Sequence, residues 1–395
     1  MKINSSNKNL SEKKIVAKIL VNIILLLVFV LELKSTITPP IKDINQIKNK
    51  LTNKINIINK TLKKVGNSNI NITNITNLIS KEDKKLRIKI QNQINEYLKN
   101  QKLFCHYQSL FYKEKFEKTI KKVDINFKTK TYKNNTYNKS FNMYVYISSD
   151  YVSNEIMNLK SWESECSGNL LDALDYYANK NNIKNNDIYI LDIGANIGWY
   201  SILFGKYGFN VLAFEPSKIN AYILKKNYCL NKDINTYIIN KGLYTEEKIC
   251  DIYNLIGNIG NGMVICDTNI RRPSFLFSKR TGEIFLTRLS NYIPFLIGKN
   301  LALIKIDIEG SEGKALESGI ELITKYHIPF IFLEFTKDSL SLHGTNPIQF
   351  LNLFLDNGYQ ISINNFLDKT YTTIENIMKF NLINLYIVYT KILEE

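Results

Sequence analysis

The segment LDIGANIGWYS, residues 191–201, decides the fold of this 395-residue chain. It continues the apolar run DIYI and contains Gly194 and Gly198, so we expect a buried strand, Ile188–Ile193, that turns through the glycines into an amphipathic helix. A strand that enters a helix through a glycine turn presents backbone N–H groups at the carboxyl edge of an α/β sheet. The segment therefore predicts a ligand site at that edge.

The chemistry of the turn favours a cationic ligand. Its spacing is G-x-x-x-G rather than the G-x-G-x-x-G of dinucleotide-binding proteins, and Asp192 lies at the end of the strand. A carboxylate beside the turn attracts a positive ligand and repels a diphosphate. S-adenosylmethionine, which carries an ammonium and a sulfonium group, meets this requirement.

A second strand and helix follow in residues 208–231, GFNVLAFEPSKINAYILKKNYCLN. Glu215 ends this strand, where a carboxylate can accept hydrogen bonds from both hydroxyls of a ribose. A third strand, Thr236–Asn240, ends on Asn240, which we expect to approach the adenine. The glycine-rich residues 249–268 predict a hairpin-like insertion, and the sequence assigns it no role.

Carboxylates gather at the ends of two further strands. Asp307, Glu309 and Glu312 follow or end the apolar strand Leu301–Ile308, and Glu334 lies near the end of the next, IPFIFLEF. Ionised carboxylates so close together repel one another and destabilise the folded state unless water, a cation or a substrate lies between them. An acid in the first turn of a helix explains Glu312. We expect Asp307 to lie beside the methyl donor, where a hydroxyl acceptor must lose its proton.

Two other motifs are incomplete. Tyr222 and Lys226 form the Y-x-x-x-K pair of short-chain dehydrogenases, but they lie on the second helix, too early in the chain for that active site. We expect them on the helix surface. Asn346 and Pro347 begin the N-P-P-aromatic tetrad of amino-methyltransferases, and the following Ile348 breaks it.

Together, LDIGANIGWYS, AFEPS and IKIDIEGSE resemble the motifs of the FkbM family of S-adenosylmethionine-dependent methyltransferases. The order and spacing of the motifs agree across residues 187–335. The resemblance implies a class I methyltransferase fold, an α/β Rossmann-like architecture. Its seven-stranded sheet is mostly parallel with the last strand antiparallel, and helices cover both faces. It also implies O-methyltransferase activity with S-adenosylmethionine as the cofactor.

The resemblance further assigns roles to residues. Lys305, Asp307, Glu309 and Glu312 match the later motif without a defined role. For methyl transfer to a hydroxyl, we expect Asp307 or Glu309 to be the general base, with His343 as an outside candidate. No metal ligands are predicted. The methyl donor would be bound through Asp192, Gly194, Asn196 and Gly198 at its methionine portion, Glu215 at the ribose, and Asn240 at the adenine edge.

The charge of the chain is concentrated in its N-terminal third. The formal net charge is +16, but residues 1–140 hold 29 Lys+Arg and 9 Asp+Glu, so the remaining residues are slightly acidic. Only five residues are arginine, whereas nucleic-acid recognition depends on bidentate arginine contacts. We therefore expect no nucleic-acid partner.

The most hydrophobic stretch follows a tail of residues 1–14. Residues 15–33, IVAKILVNIILLLVFVLEL, predict an uncleaved signal anchor with a cytoplasmic N terminus, hence a single-pass type II membrane protein of the secretory pathway. A cleaved signal peptide and a buried helix are the alternatives. The apolar run is short for a bilayer core of about 30 Å.

Residues 34–140 predict a basic stem, helical or partly disordered, before a methyltransferase domain at residues 141–395. Apolar residues between Ile44 and Val65 recur at three- and four-residue steps, and NITNITN carries glycosylation sequons at Asn71 and Asn74. The five cysteines lack zinc-site spacing and allow at most two intrachain disulfides.

The sequence thus predicts a membrane-anchored enzyme that O-methylates a hydroxyl on a glycan or other small or secretory-pathway acceptor. The alternatives are an anchored interaction protein that keeps the methyltransferase fold and, on the same sheet, a nicotinamide-dependent oxidoreductase. The sequence does not indicate an oligomeric state.

Overall fold

The computed structural model describes residues 72–107, 114–131, 133–147, 150–256, 258–266 and 278–394. The predicted anchor, the periodic stretch between Ile44 and Val65, and the sequon at Asn71 lie outside these residues. Within the described ranges, no helix combines the length and the apolar character needed to cross a membrane.

Thirteen strands and twelve α-helices are formed by the described residues. The strands are β1 Ile120–Lys130, β2 Thr136–Tyr146, β3 Ile188–Ile193, β4 Asn210–Phe214, β5 Asn235–Ile239, β6 Gly242–Leu243, β7 Lys248–Leu255, β8 Asn258–Ile265, β9 Ser278–Thr287, β10 Asn300–Ile306, β11 Phe330–Thr336, β12 Tyr359–Ser362 and β13 Leu382–Tyr389. The helices are α1 Ile72–Tyr107, α2 Glu114–Glu117, α3 Tyr151–Leu159, α4 Ser164–Asn181, α5 Trp199–Lys206, α6 Lys218–Leu230, α7 Ile293–Leu296, α8 Glu312–Glu317, α9 Glu321–Thr324, α10 Lys337–Leu342, α11 Pro347–Leu355 and α12 Ile374–Ile377.

The largest sheet has seven strands in the order β12-β13-β11-β10-β3-β4-β5. Strands β11, β10, β3, β4 and β5 pair in parallel, while β13 runs antiparallel to both of its neighbours. The predicted mostly parallel, seven-stranded α/β sheet is therefore confirmed. Chain order reverses direction between β3 and β10, and ligands of open α/β sheets bind at the carboxyl ends of strands at such a switch point.

Apolar side chains cover both faces of this sheet. On one face Ile190 belongs to a hydrophobic cluster that includes Phe204 of α5, and on the other Leu191 belongs to a second cluster that includes Leu316 of α8. Strands buried on both faces are continuous apolar runs rather than alternating ones. This explains why the predicted strand Ile188–Ile193 matches β3 at both ends.

The compact unit that contains this sheet spans Leu78–Glu395, whereas the sequence placed the start of the methyltransferase domain at residue 141. Strands β1 and β2 pair antiparallel, and β1 buries Ile125 and Phe127 while its lysines point outward. Gln101 of α1 donates to the carbonyl oxygen of Thr236 at 2.9 Å and accepts from the N–H of Ile238 at 3.1 Å. The exposed lysines of β1 make the composition of this segment basic, so the composition does not reveal that the strand also has a buried apolar face.

Helix α6 corrects a second expectation. Tyr222 and Lys226 are buried rather than on the helix surface, and both bind the carboxylate of Glu117 in α2. The Nζ atom of Lys226 also lies 4.4 Å from the ring centroid of Tyr144. Tyr222 and Lys226 therefore hold α2, the segment before β1, against α6. Their contacts are structural, as expected for an incomplete dehydrogenase motif.

Two disulfides join parts of the compact unit. Cys105 of α1 is bonded to Cys229 of α6, and Cys250 of β7 to Cys266, the residue after β8. Cys166 is a free thiol. The two bonds are the maximum that five cysteines allow.

The predicted glycine-rich hairpin is confirmed as the antiparallel pair β7 and β8. The insertion is larger than expected, because β9 also pairs with β7 and β6 pairs with β9. The result is a separate four-stranded sheet of order β6-β9-β7-β8 between β5 and α7.

Candidate functional site

The glycine turn after β3 is held by backbone bonds to the next strand. The N–H groups of Gly194 and Ala195 both donate to the carbonyl oxygen of Phe214, at 2.9 and 3.0 Å. Gly194 has φ of 79°, and a Cβ atom there would overlap the carbonyl oxygen of Asp307. The turn and the end of β10 are thus packed together as closely as a glycine permits.

Glu215 at the end of β4 is joined directly to this turn. Its Oε2 accepts from the N–H of Asn196 at 2.8 Å, and its Oε1 accepts from the N–H of Ser217 at 2.8 Å. Burial raises the pKa of Glu215 to about 7, against the lowering effect of these two bonds. The Oδ1 atom of Asn196 is buried with no hydrogen-bond partner, so an acceptor faces the interior of this site.

Asp192 lies beneath the turn, and its surroundings differ from the expectation. The side chain is fully buried, Ser201 Oγ donates to its Oδ2 at 2.6 Å, and Lys305 Nζ lies 3.8 Å from its Oδ1. Burial raises the pKa of Asp192, while the Lys305 charge lowers it. A lysine of the chain itself therefore supplies the cation that the sequence assigned to a ligand.

Asn240 and Gly198 shape the site through backbone contacts. The side-chain amide of Asn240 donates to the carbonyl oxygens of Glu215 at 2.7 Å and Pro216 at 3.2 Å. Gly198 has φ of 99°, and a Cβ atom there would overlap Leu224 of α6. These contacts fix the residues after β4 and the start of α5, and the predicted adenine contact of Asn240 stays a prediction.

The loop after β10 is organised by Glu312. Its Oε1 accepts from the N–H groups of Ile308 at 3.0 Å and Gly310 at 3.2 Å, and its Oε2 is buried with no hydrogen-bond partner. Burial raises the pKa of Glu312 to about 7. Glu312 is the first residue of α8, and it also binds the N–H groups on either side of Glu309. These bonds stabilise the left-handed backbone of Glu309, whose φ is 58°.

Asp307, Glu309 and Glu334 converge at the ends of β10 and β11. One carboxylate oxygen of each lies within 4.8 Å of the others, a spacing that could hold a metal ion. Burial, and then the charge of Asp307, raise the pKa values of both Glu309 and Glu334. The sequence placed these carboxylates together but predicted no metal ligands.

Lys305 and Glu163 complete the charged surroundings. Lys305 Nζ donates to the carbonyl oxygen of Gly194 at 3.0 Å and lies 3.5 Å from Asp307 Oδ2. Glu163 Oε2 accepts from the hydroxyl of Tyr200 at 2.6 Å, and burial raises the pKa of Glu163. No motif marks Glu163, whose backbone is left-handed with φ of 42°, so the sequence missed it.

Two minor candidates have structural contacts. The ring nitrogens of His343 lie 2.9 Å from the carbonyl oxygen of Ser339 and 3.1 Å from that of Val264 in β8. Asn346 caps α11, because its Oδ1 accepts from the N–H groups of Ile348 and Gln349. Neither side chain is directed at the carboxylates by these bonds.

The predicted donor-site residues and carboxylates therefore lie at the carboxyl ends of β3, β4, β5, β10 and β11. The strand order, the glycine turn and the acidic strand ends are those of an open α/β sheet that binds a ligand at its switch point. Residues 192–361 match the family model of the methyltransferase FkbM domain. This part of the chain is thus a domain of the FkbM methyltransferase family.

Solved structures of methyltransferases are also similar to the chain. Precorrin-6y C5,15-methyltransferase from Geobacter metallireducens aligns with 11% identity and a TM-score of 0.27 over 55% of this chain and 87% of its own. Magnesium protoporphyrin IX methyltransferase from Synechocystis, solved with bound SAM, aligns with 9% identity and a TM-score of 0.28 over 60% and 83%. At such TM-scores neither superposition supports an inference about the site. The comparison with curated proteins gave no match.

Proposed function

We propose that the protein is an S-adenosylmethionine-dependent methyltransferase that methylates a hydroxyl group of a glycan or other secretory-pathway acceptor. The observation that carries the proposal is the bond between Asn196 N–H and the Glu215 carboxylate at 2.8 Å. It joins the glycine turn after one strand to the acid that ends the next. An adenosine-bearing ligand bound over such a pair has backbone donors at one end and a ribose-binding carboxylate at the other.

The residues at the turn fit the donor. Each carboxylate oxygen of Glu215 accepts one N–H and has lone-pair capacity left for a ribose hydroxyl. The unpartnered Oδ1 of Asn196 can accept from the donor's ammonium group. Asp192, with Lys305 beside it, would act through the electrostatic field of the turn rather than by contact.

The acceptor hydroxyl would lie at Asp307 and Glu309. The N–H of Asp307 donates to the carbonyl oxygen of Ile193 at 3.0 Å, which keeps the end of β10 beside the glycine turn. In the reaction the acceptor oxygen forms a bond to the methyl carbon as the sulfur–methyl bond breaks. The products are a methyl ether and S-adenosylhomocysteine. The hydroxyl proton passes to Asp307 or Glu309, and alignment of donor and acceptor supplies much of the rate.

The location in the secretory pathway is supported by the cysteines. Disulfides persist in oxidising compartments and are rare in the cytosol. Cys105–Cys229 and Cys250–Cys266 are both formed. Together with the apolar residues 15–33, they favour a type II anchor with the catalytic domain in the lumen.

Methyl transfer from radiolabelled S-adenosylmethionine to an extract of secretory glycans tests the proposal. We expect incorporation by the wild-type chain and a loss of about a hundredfold or more in either Asp307→Asn or Glu309→Gln, whichever residue is the base. Full turnover in both variants, with donor affinity kept, would exclude both carboxylates as the base, and absence of incorporation into hydroxyl groups would contradict the acceptor class.

A further inference from the structure

We propose that the four-stranded insertion is the wall that closes the donor pocket, and that Gly260 is the residue that positions it. The inference rests on the proposed function, because it concerns the same donor site. It gives a role to a segment to which the sequence assigned none.

Gly260 of β8 is held by buried polar side chains on both of its backbone groups. Its N–H donates to Asp150 Oδ1 at 2.9 Å, and its carbonyl oxygen accepts from Asn220 Nδ2 at 3.0 Å. Asp150 is itself fully buried and accepts from the N–H of Ser153 at 2.7 Å through its other oxygen. Buried hydrogen bonds with both partners fixed define one position for the strand.

This position is directly beside the glycine turn. A Cβ atom at Gly260 would overlap Asp150 Oδ1 and would lie 3.4 Å from Asn196 Nδ2. Asn196 is the residue whose N–H binds Glu215 and whose Oδ1 has no partner. A side chain at Gly260 would therefore displace Asp150, while its Cβ atom would be in ordinary van der Waals contact with Asn196 of the turn.

A second contact anchors the same strand on the other side of the switch point. The carbonyl oxygen of Val264 in β8 lies 3.1 Å from Nε2 of His343, which follows α10 and β11. Strand β10 lies between β3 and β11 in the sheet. Strand β8 therefore has one anchor beside the glycine turn, at Gly260, and a second on the residue after α10, through Val264.

The β7–β8 hairpin of the insertion is also held at both of its ends. The Cys250–Cys266 disulfide ties the residue after β8 to β7, and Asn258 Oδ1 accepts from the N–H of Tyr151 at 3.3 Å. A wall fixed at both ends keeps water from the donor and limits the orientations of its methyl group. The contacts of Gly260 would then affect donor binding rather than folding alone.

The test compares Gly260→Ala with Gly282→Ala in the full-length protein. A Cβ atom at Gly282, on β9 of the same insertion, would meet nothing within 4 Å, so this variant is a matched control. The affinity for S-adenosylmethionine is measured by calorimetry, and folding by circular dichroism and thermal unfolding. We expect the dissociation constant to rise at least about tenfold in Gly260→Ala and to stay unchanged in Gly282→Ala.

A folded Gly260→Ala protein with wild-type affinity would overturn the proposal. If Gly260→Ala does not fold, Asp150→Asn decides by the same criterion, because an amide can replace only one of the two acceptor oxygens. Equal weakening in Gly260→Ala and Gly282→Ala would also contradict a specific role for Gly260. A wild-type protein that binds no S-adenosylmethionine would refute the proposed function as well, and this outcome differs from all the others.

Discussion

Lys305 is the residue on which the charges of the site converge. Its ammonium group lies between Asp192 and Asp307 and donates to the carbonyl oxygen of Gly194. Burial lowers the pKa of Lys305. The negative charges of Asp307, Asp192 and Glu163 together raise this pKa by more than burial lowers it, so the net shift is upward. One buried cation therefore allows β3 and β10 to end in carboxylates side by side.

Glu312 should make stability depend on pH. Burial raises the pKa of its carboxyl from the ordinary 4.5 to about 7, so the folded state holds a proton that the unfolded state has lost. This stabilisation is full below about pH 4.5 and is lost as the pH rises to about 7. We expect the free energy of unfolding to fall over this range.

Glu312→Gln checks this prediction. The glutamine can still accept from Ile308 and Gly310 through one oxygen, but it does not titrate. Denaturant unfolding at pH 5 and pH 8 should show a difference smaller by about 1–3 kcal/mol than in the wild type. Glu317→Gln, at an exposed position of the same helix, is the control. An unchanged pH dependence would mean that Glu312 is ionised throughout.

At the residue scale the sequence predicted which acids end the strands but not all of their partners. Asp192, Glu215, Asp307 and Glu334 are recognisable because each lies at or near the end of an apolar run. The partner of Asp192 is Lys305, on a strand formed more than a hundred residues later, and that pairing depends on strand order. No sequence motif or apolar run near Glu163 indicates that its side chain lies at the site.

Helix α1 acts as an element of the domain rather than as a stem. The Gln101 side chain of α1 binds backbone groups of Thr236 and Ile238 in the edge strand β5. Ile94 of the same helix is fully buried. Edge strands with free backbone groups are prone to pair with other chains, and a covering helix prevents this. The Cys105–Cys229 disulfide, which links residues 124 apart, keeps the helix in place.

Loss of this disulfide should destabilise the domain. A cross-link over a long loop restricts the unfolded chain, and removal of such a bond typically costs about 2–5 kcal/mol. Cys105→Ser combined with Cys229→Ser should therefore lower the free energy of unfolding by that amount, measured by denaturant titration. Cys166→Ser, at the free thiol, is the control. Equal stability of the double variant and the control would contradict a structural role for α1.

Elements were predictable where their hydrophobic pattern was unambiguous. Strand β3 is apolar on both faces and was predicted correctly, as was the insertion hairpin between its glycines. Strand β1 alternates buried apolar residues with exposed lysines, a signal of a half-buried strand that the basic composition of residues 1–140 obscured.

At the scale of the whole molecule, the domain extends from Leu78 to the C terminus. A chain that begins at Leu78 should unfold cooperatively at the temperature of the full-length protein. A chain that begins at Phe141 lacks Gln101, Cys105 and all of β1, and it should melt at a lower temperature or fail to fold. Differential scanning calorimetry of the two chains measures this. Equal melting temperatures of the two chains would support a domain that begins at residue 141.

The central claim is that the turn after β3 and the acid after β4 together bind S-adenosylmethionine. Calorimetric titration of the full-length protein with this compound tests it most directly, with Glu215→Gln as the site variant and the exposed Glu317→Gln as the control. We predict binding at one site in the wild type and the control. Loss of the Glu215 carboxylate should weaken binding by about 1–3 kcal/mol, because a buried acceptor is replaced by a donor. No binding by the wild type, or equal binding by Glu215→Gln, would contradict the account.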